Sequence, residues 1–187
     1  MKEKNILTID LDYIQNKKTF LDVLSLFNLF VKDNKPIIFC NAHHEAFEFI
    51  DKNSNLYNLD HHHDLGYDPI SFQEAHRKKY REGNWIYGLI IEKIINSYTW
   101  IKNYDSKLDV AYINDNLRNF KKLKISTDLN LLFNIKFEKL IVCESPEYEK
   151  EMSFYFDILK SISYTFNEQN SHIKESENRF NWINNNE

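Results

Sequence analysis

Five of the seven histidines in this chain fall in two tight clusters, Asn41-Ala42-His43-His44-Glu45 and Asp60-His61-His62-His63-Asp64, and a pair of carboxylates stands in Asp10-Leu11-Asp12. Within the second cluster Asp60, His62 and Asp64 occupy alternate positions. On extended backbone alternate side chains share one face, so all three can converge on a point, and Asp10 and Asp12 are co-facial for the same reason. His61 and His63 alternate with them and point away, toward supporting contacts. Carboxylate oxygens mixed with imidazole suit Mn2+, Fe2+ or Zn2+ better than Ca2+ or a thiolate-seeking metal. Five donors from two strand ends and one His from a third would hold two ions about 3.5 Å apart around a shared water, which is a hydrolytic arrangement. Each cluster alone is weak, since Asp-x-Asp is commonly a turn or cap and His tracts bind metal loosely. Their coincidence at three strand ends carries the weight. His44 stands as an alternative to His43, because a strand end is not fixed to one residue by pattern alone.

The elements that must position these residues are short. Asn5 to Ile9 is an apolar run that reads as a buried strand delivering Asp10. Thr19 to Val31 spaces Phe20, Val23, Leu24, Phe27 and Phe30 at helical intervals. Pro36 opens a second strand, Ile37 to Cys40, and His44 to Ile50 reads as a short helix. Asn53-Ser54-Asn55 is a turn cluster, after which Leu56 to Leu59 forms a third strand. Helical segments are expected over Phe72 to Tyr80 and Trp85 to Ile95. Strands are expected over Thr99 to Lys102, Leu108 to Ile113 and Leu140 to Cys143. Asp115 to Phe137 has no clean period. Met152, Tyr155, Phe156, Leu159 and Ile162 place an amphipathic helix over Glu147 to Ser163. This alternation predicts a three-layer α/β/α domain with a mostly parallel sheet over residues 1–166 and a polar tail over 167–187. In such sheets ligands gather beyond the carboxyl ends of the strands, where all three clusters fall.

Composition narrows the function classes. A chain of 187 residues with 42% hydrophobic residues can bury a core in one domain. A net charge of −4 gives no broad basic field for nucleic acid or an anionic membrane. Cys40 and Cys143 sit in apolar runs and read as buried free thiols rather than a disulfide framework. No run approaches the roughly 20 apolar residues that cross a bilayer. The expectation is a cytoplasmic protein.

The clusters resemble the arginase/ureohydrolase and histone-deacetylase superfamily. Asp60 to Asp64 matches its D-x-H-x-D signature, Asp10-Leu11-Asp12 looks like its D-x-D, and His43 resembles its separate first His ligand. More closely, the chain is similar to the small family of peptide arginases from ribosomal peptide natural-product pathways. The matching segments are His43 to Phe47, Asp60 to Asp64, Asn84-Trp85-Ile86 and Ser145-Pro146-Glu147-Tyr148. The larger arginases place D-x-D after D-x-H-x-D; here it comes first, so a permuted strand order has to bring the two together. The resemblance implies that Asp10 and Asp60 bridge two Mn2+ ions, that His43 and Asp64 complete one, and that His62 and Asp12 complete the other. Fe2+ or Zn2+ is compatible with the same donors.

The implied reaction is hydrolysis of an arginine guanidino group, in a peptide or a small guanidino compound, to ornithine and urea. Glu144 resembles the carboxylate that holds the guanidinium in arginases; its alternative is an acidic residue favoured by the dipole of the helix that follows. Asp64 and Glu144 are thus the candidate catalytic carboxylates. His76 is a weaker candidate for a proton shuttle, set against an exposed His on a basic helix. Trp85 reads as core or pocket wall, and Tyr13 and Tyr67 as residues of the mouth. A deacetylase-like amide hydrolase and a metal-stabilised protein without turnover are the competing functions.

Overall fold

The computed structural model describes residues 4–104, 106, 120, 122–145 and 153–166. Strand β1 (Lys4–Asp10) runs through a 3-10 turn (Leu11–Tyr13) into helix α1 (Lys17–Lys32). Strand β2 (Ile37–Cys40), a 3-10 helix (His43–Phe49) and β3 (Ser54–Leu59) follow. Helices α2 (Pro69–His76) and α3 (Trp85–Ile91) lead to β4 (Ile95–Ile101). Strand β5 (Leu123–Ser126), the one-turn helix α4 (Asn130–Phe133) and β6 (Lys139–Cys143) come next, and residues 153–166 form α5. The six strands make one sheet in the order β2-β6-β1-β3-β4-β5, with every pairing parallel. The expected α/β architecture with a parallel sheet and helical layers is therefore present.

A parallel sheet is covered on both faces, so its strands read as nearly continuous apolar runs, and period-2 alternation sorts them into two cores. Ile6, Leu56, Tyr98, Trp100, Ile141, Cys40 and Cys143 face one way, packing with Trp85, Ile86 and Leu89 of α3 and Ala46 of the 3-10 helix. Leu7, Ile9, Leu59, Ile101, Leu140 and Val142 face the other, against Val23, Phe27 and Phe30 of α1 and Phe156 and Leu159 of α5. Asp10 and Asp60 share the parity of Ile6 and Leu56, which places them on the α3 side. Local chemistry sets the helix starts. Asn16 caps α1 by accepting from the Thr19 amide at 3.1 Å while the Thr19 hydroxyl accepts from the Asn16 amide. Asp68 caps α2 the same way with Ser71, with Pro69 in the first turn, where its missing N–H costs nothing.

Several sequence expectations change. Trp85 to Ile95 is not one helix: α3 stops at Ile91, Lys93 takes a left-handed φ of 56°, and Ile95 already begins β4. The strand expected from Thr99 is the second half of this longer one, its apolar pattern masked by Asn96, Ser97 and Thr99. Ser54 and Asn55 belong to β3; the turn is at Asn53, with φ 62°. Helix α2 covers Pro69–His76, ending short of Tyr80. The unpatterned stretch contains β5, an edge strand with exposed positions, and α4. The expected strand Leu108 to Ile113, the tail from 167 and residues Pro146 to Met152 lie outside the described residues. Among the described residues no helix is long and apolar enough to cross a membrane.

Gly88 is where α3 meets the surface layer. A Cβ there would overlap the ring of Tyr80, which stacks on Phe47 at 4.1 Å. Gly88→Ala improves intrinsic helix propensity by nearly 1 kcal/mol, but overpacking outweighs it. The variant is expected to lose about 1–2 kcal/mol in urea unfolding; unchanged or higher stability would contradict this packing.

Candidate metal centre

The carboxyl ends of β1 and β3 lie side by side, Ile9 in register with Leu59, so Asp10 and Asp60 leave the sheet as neighbours. The two carboxylate clusters, far apart along the chain, thus meet because adjacent parallel strands deliver both. The 3-10 turn after β1 brings Asp12 over the β3 end, where its Oδ1 accepts from the His61 amide at 3.2 Å and its Oδ2 lies 2.6 Å from His62 Nδ1. From the far side of the sheet order, Cys40 ends β2 and the chain turns at Asn41 into the 3-10 helix. Glu45 holds that turn by accepting from the Asn41 amide at 3.0 Å.

This turn buries His43 among carboxylates. Its Nδ1 lies 3.0 Å from Asp10 Oδ2, 3.2 Å from Asp60 Oδ2 and 2.9 Å from Asp64 Oδ2. Among the described residues, none of these approaches has hydrogen-bond geometry, and His43 Nε2 has no hydrogen-bond partner either. His44 is half-buried, 4.0 Å from Glu82, and stays outside the cluster. The structure thus separates two residues that pattern left equivalent.

Two groups of donors result: Asp10, His43 and Asp60, and Asp12, Asp60 and His62, with the donor atoms of each within 4.8 Å of one another. Ligands at about 2.1 Å on opposite sides of one cation are about 4.2 Å apart, so each group has the span of a single ion. Asp60 belongs to both, and Asp64 adds a carboxylate to the first through His43. These groups can hold a metal ion.

Electrostatics agree with the geometry. Burial, then the charges of Asp12 and Asp64, push Asp60 well above the ordinary carboxylate range. Burial also raises Asp10, with His43 opposing. Burial alone would lower His43, but Asp10 and Asp60 outweigh it and hold the imidazole well above its usual value. The hydrogen bond to Asp12 raises His62, and the same bond overcomes burial to lower Asp12. Four nearly buried carboxylates against two imidazoles leave an excess of negative charge that a divalent cation would neutralise. A buried imidazole without directed hydrogen bonds, ringed by carboxylate oxygens, is the donor set such a cation fits.

Neighbouring groups fix the donors. Trp85 Nε1 donates to Asp64 Oδ2 at 2.6 Å, and its ring packs edge-on to His43, so this tryptophan does more than wall the core. Ser145 Oγ donates to Asp10 Oδ2 at 2.7 Å, the His62 amide to Asp60 Oδ1 at 2.7 Å, and Trp100 Nε1 to the Asp60 carbonyl at 3.0 Å. Asp64 and Ser145 are buried in left-handed backbone, at φ 51° and 46°. That conformation costs roughly 1–2 kcal/mol for a residue with a Cβ and clusters at functional sites.

The remaining predicted residues scatter. Glu144 is half-buried at the end of β6, its amide donating to the Cys40 carbonyl at 3.1 Å and its Oε1 accepting from Ser153 of α5. His61 turns its Nδ1 to Gln15 and Ser106, and buried His63 accepts from the Leu65 amide. His76 is exposed on α2, 3.1 Å from the Tyr87 hydroxyl, and does not join the cluster. Tyr13 is buried in the α1-side core rather than at a mouth, and Tyr67 lies against the His63 ring at 4.3 Å. Pattern reading missed Ser145 as a support for Asp10 and the buried polar pair Thr8 and Asn58. The available signal was a polar residue at an inward-facing strand position. In comparisons with protein-family models, with curated proteins and with solved structures, nothing matches this chain.

Asp10→Asn separates the charge from the fold. The Ser145 hydroxyl can reverse and accept from the new amide, so shape and hydrogen bonds survive. In the metal-free protein Asp10 keeps its proton above the ordinary value of 3.8 while the unfolded chain has lost it. The folded state then binds more protons, so this group's contribution to stability falls as pH rises above that ordinary value. Metal-free Asp10→Asn is therefore expected to melt above metal-free wild type at pH 7.5, with the gap closing toward pH 4. Saturating Mn2+ should raise wild type by roughly 5–10 °C and the variant hardly at all. Equal Mn2+ shifts in calorimetry would contradict the assignment of Asp10.

Proposed function

We propose that this protein is a metal-dependent hydrolase that cleaves the guanidino group of a peptide arginine, giving ornithine and urea. The observation that carries the proposal is the sharing of Asp60 between two donor groups at the carboxyl ends of β1 and β3. Two divalent cations, Mn2+ by the donor set, supply Lewis acidity and an activated water when bound. Asp10 and Asp60 would bridge them, His43 with Asp64 and His62 with Asp12 completing the two sets. Trp85 and Ser145 hold Asp64 and Asp10 in place by hydrogen bonds to the same oxygens that face His43.

Glu144 would hold the substrate. A guanidinium is planar and always charged, and a carboxylate pairs with it through two parallel hydrogen bonds. Glu144 leaves β6 one strand from Asp10, which sits in register with Cys143. Water adds to the guanidinium carbon, the bond to Nε breaks, and both protons of the water end on the departing amine, which leaves as ammonium beside neutral urea. His62 is about one-third exposed beside buried Asp12, so the donor cluster opens to the surface on that side. An open approach favours a side chain presented on a peptide over a free amino acid.

The Ser153 hydroxyl on Glu144 favours a second reading, an amide hydrolase acting on an acylated amine, for which no guanidinium carboxylate is needed. Urea release from arginine-containing peptides with Mn2+-loaded protein tests the choice. Urea and ornithine are expected from wild type, with Glu144→Gln losing at least about 100-fold in rate while keeping its metal. Acetate from an acetyl-lysine peptide without urea would favour the amide hydrolase, and metal binding without either product would contradict both.

A further inference from the structure

Beneath Asp60 lies a polar relay that is wholly enclosed. Thr8 and Asn58 are paired in register across β1 and β3, on the face that carries Asp10 and Asp60, and both are 0% exposed. The Thr8 hydroxyl donates to Asn58 Oδ1 at 2.6 Å, with the Tyr57 carbonyl a longer second acceptor at 3.3 Å, and the shorter bond turns the amide so that Nδ2 points the other way. Asn58 Nδ2 donates to Asp60 Oδ2 at 2.9 Å and to the Tyr98 hydroxyl at 3.2 Å. Tyr98 donates onward to the His63 carbonyl at 3.0 Å. All the hydrogens thus run in one direction, from β1 through β3 toward the 60–64 segment.

An asparagine is poorly suited to the middle of a central strand, and burying its amide costs free energy unless it is fully bonded. Packing alone would be served better by Leu or Val. What the amide supplies is a single donor to one lone pair of Asp60 Oδ2, while the His62 amide takes Oδ1 at 2.7 Å. Both carboxylate oxygens are then oriented, and each keeps a second lone pair for a cation. We infer that Asn58, oriented by Thr8, is the positioning residue that fixes Asp60 as the carboxylate shared between the two donor groups. This rests on the reading of Asp60 as a metal ligand.

Outer hydrogen bonds of this kind commonly carry 10–100-fold in metal affinity. The test measures Mn2+ dissociation constants by competition with a fluorescent chelator, beside urea unfolding, for the wild-type chain and three variants. Asn58→Leu, close in size, is expected to weaken Mn2+ binding about 10–100-fold. Thr8→Val, which frees the amide to turn over, should weaken it less, about tenfold at most, and Thr8→Ser should bind like wild type because it keeps the donor. If Asn58→Leu fails to fold, the Thr8→Val and Thr8→Ser pair decides. Variants that lose stability but bind Mn2+ as tightly as wild type would overturn the positioning role and leave the metal centre standing. A wild-type chain that binds no Mn2+ would overturn both.

Discussion

Asp10, Asp12, Asp60 and Asp64 bring four carboxylates to the ends of two adjacent strands, with almost no water to share their charge. One buried imidazole, His43, and one partly exposed, His62, cannot balance them, and an uncompensated buried ion costs several kcal/mol. The surrounding structure is organised around that charge. Two left-handed residues, two tryptophan N–H groups and the Ser145 hydroxyl hold the segment and its oxygens in one geometry. Such an arrangement costs stability in the metal-free chain, and it is a donor set that could hold a metal ion.

The sheet order explains how distant segments meet. Placing β1 between β6 and β3 sets Ser145, Asp10 and Asp60 on consecutive strand ends, and β2 beyond β6 turns His43 back over them. Cys40 and Cys143 pair in register beneath this turn. They continue the apolar core up to the floor of the polar cluster and remain free thiols.

Much of the fold was legible because buried parallel strands announce themselves: Ile6 to Ile9, Ile37 to Cys40 and Leu140 to Cys143 are apolar runs with few other readings. β4 was half hidden because Asn96, Ser97 and Thr99 interrupt it, and β5 because an edge strand needs only one covered face. The clusters themselves were legible through residue type and position after the strands, but not through alternation: Asp60 to Asp64 lie past the end of β3, Asp64 takes a left-handed φ of 51°, and His62 and Asp64 go to different donor groups. Alternation did not choose between His43 and His44; the 3-10 turn after Cys40 did, and that turn depends on Glu45 reaching back to the Asn41 amide. Nor could pattern reveal that Thr8 and Asn58 meet, because their pairing is a matter of register between strands 50 residues apart.

Asp60 belongs to both donor groups, so a dinuclear centre at this end of the sheet would share it between two cations. Anomalous diffraction at the manganese edge from crystals of the Mn2+-loaded chain tests it most directly. Two peaks about 3.5 Å apart are expected, one beside Asp10, His43 and Asp64, the other beside Asp12 and His62, with Asp60 reaching both. A single peak with Asp60 bound to it alone, or no peak at this end of the sheet, would contradict it.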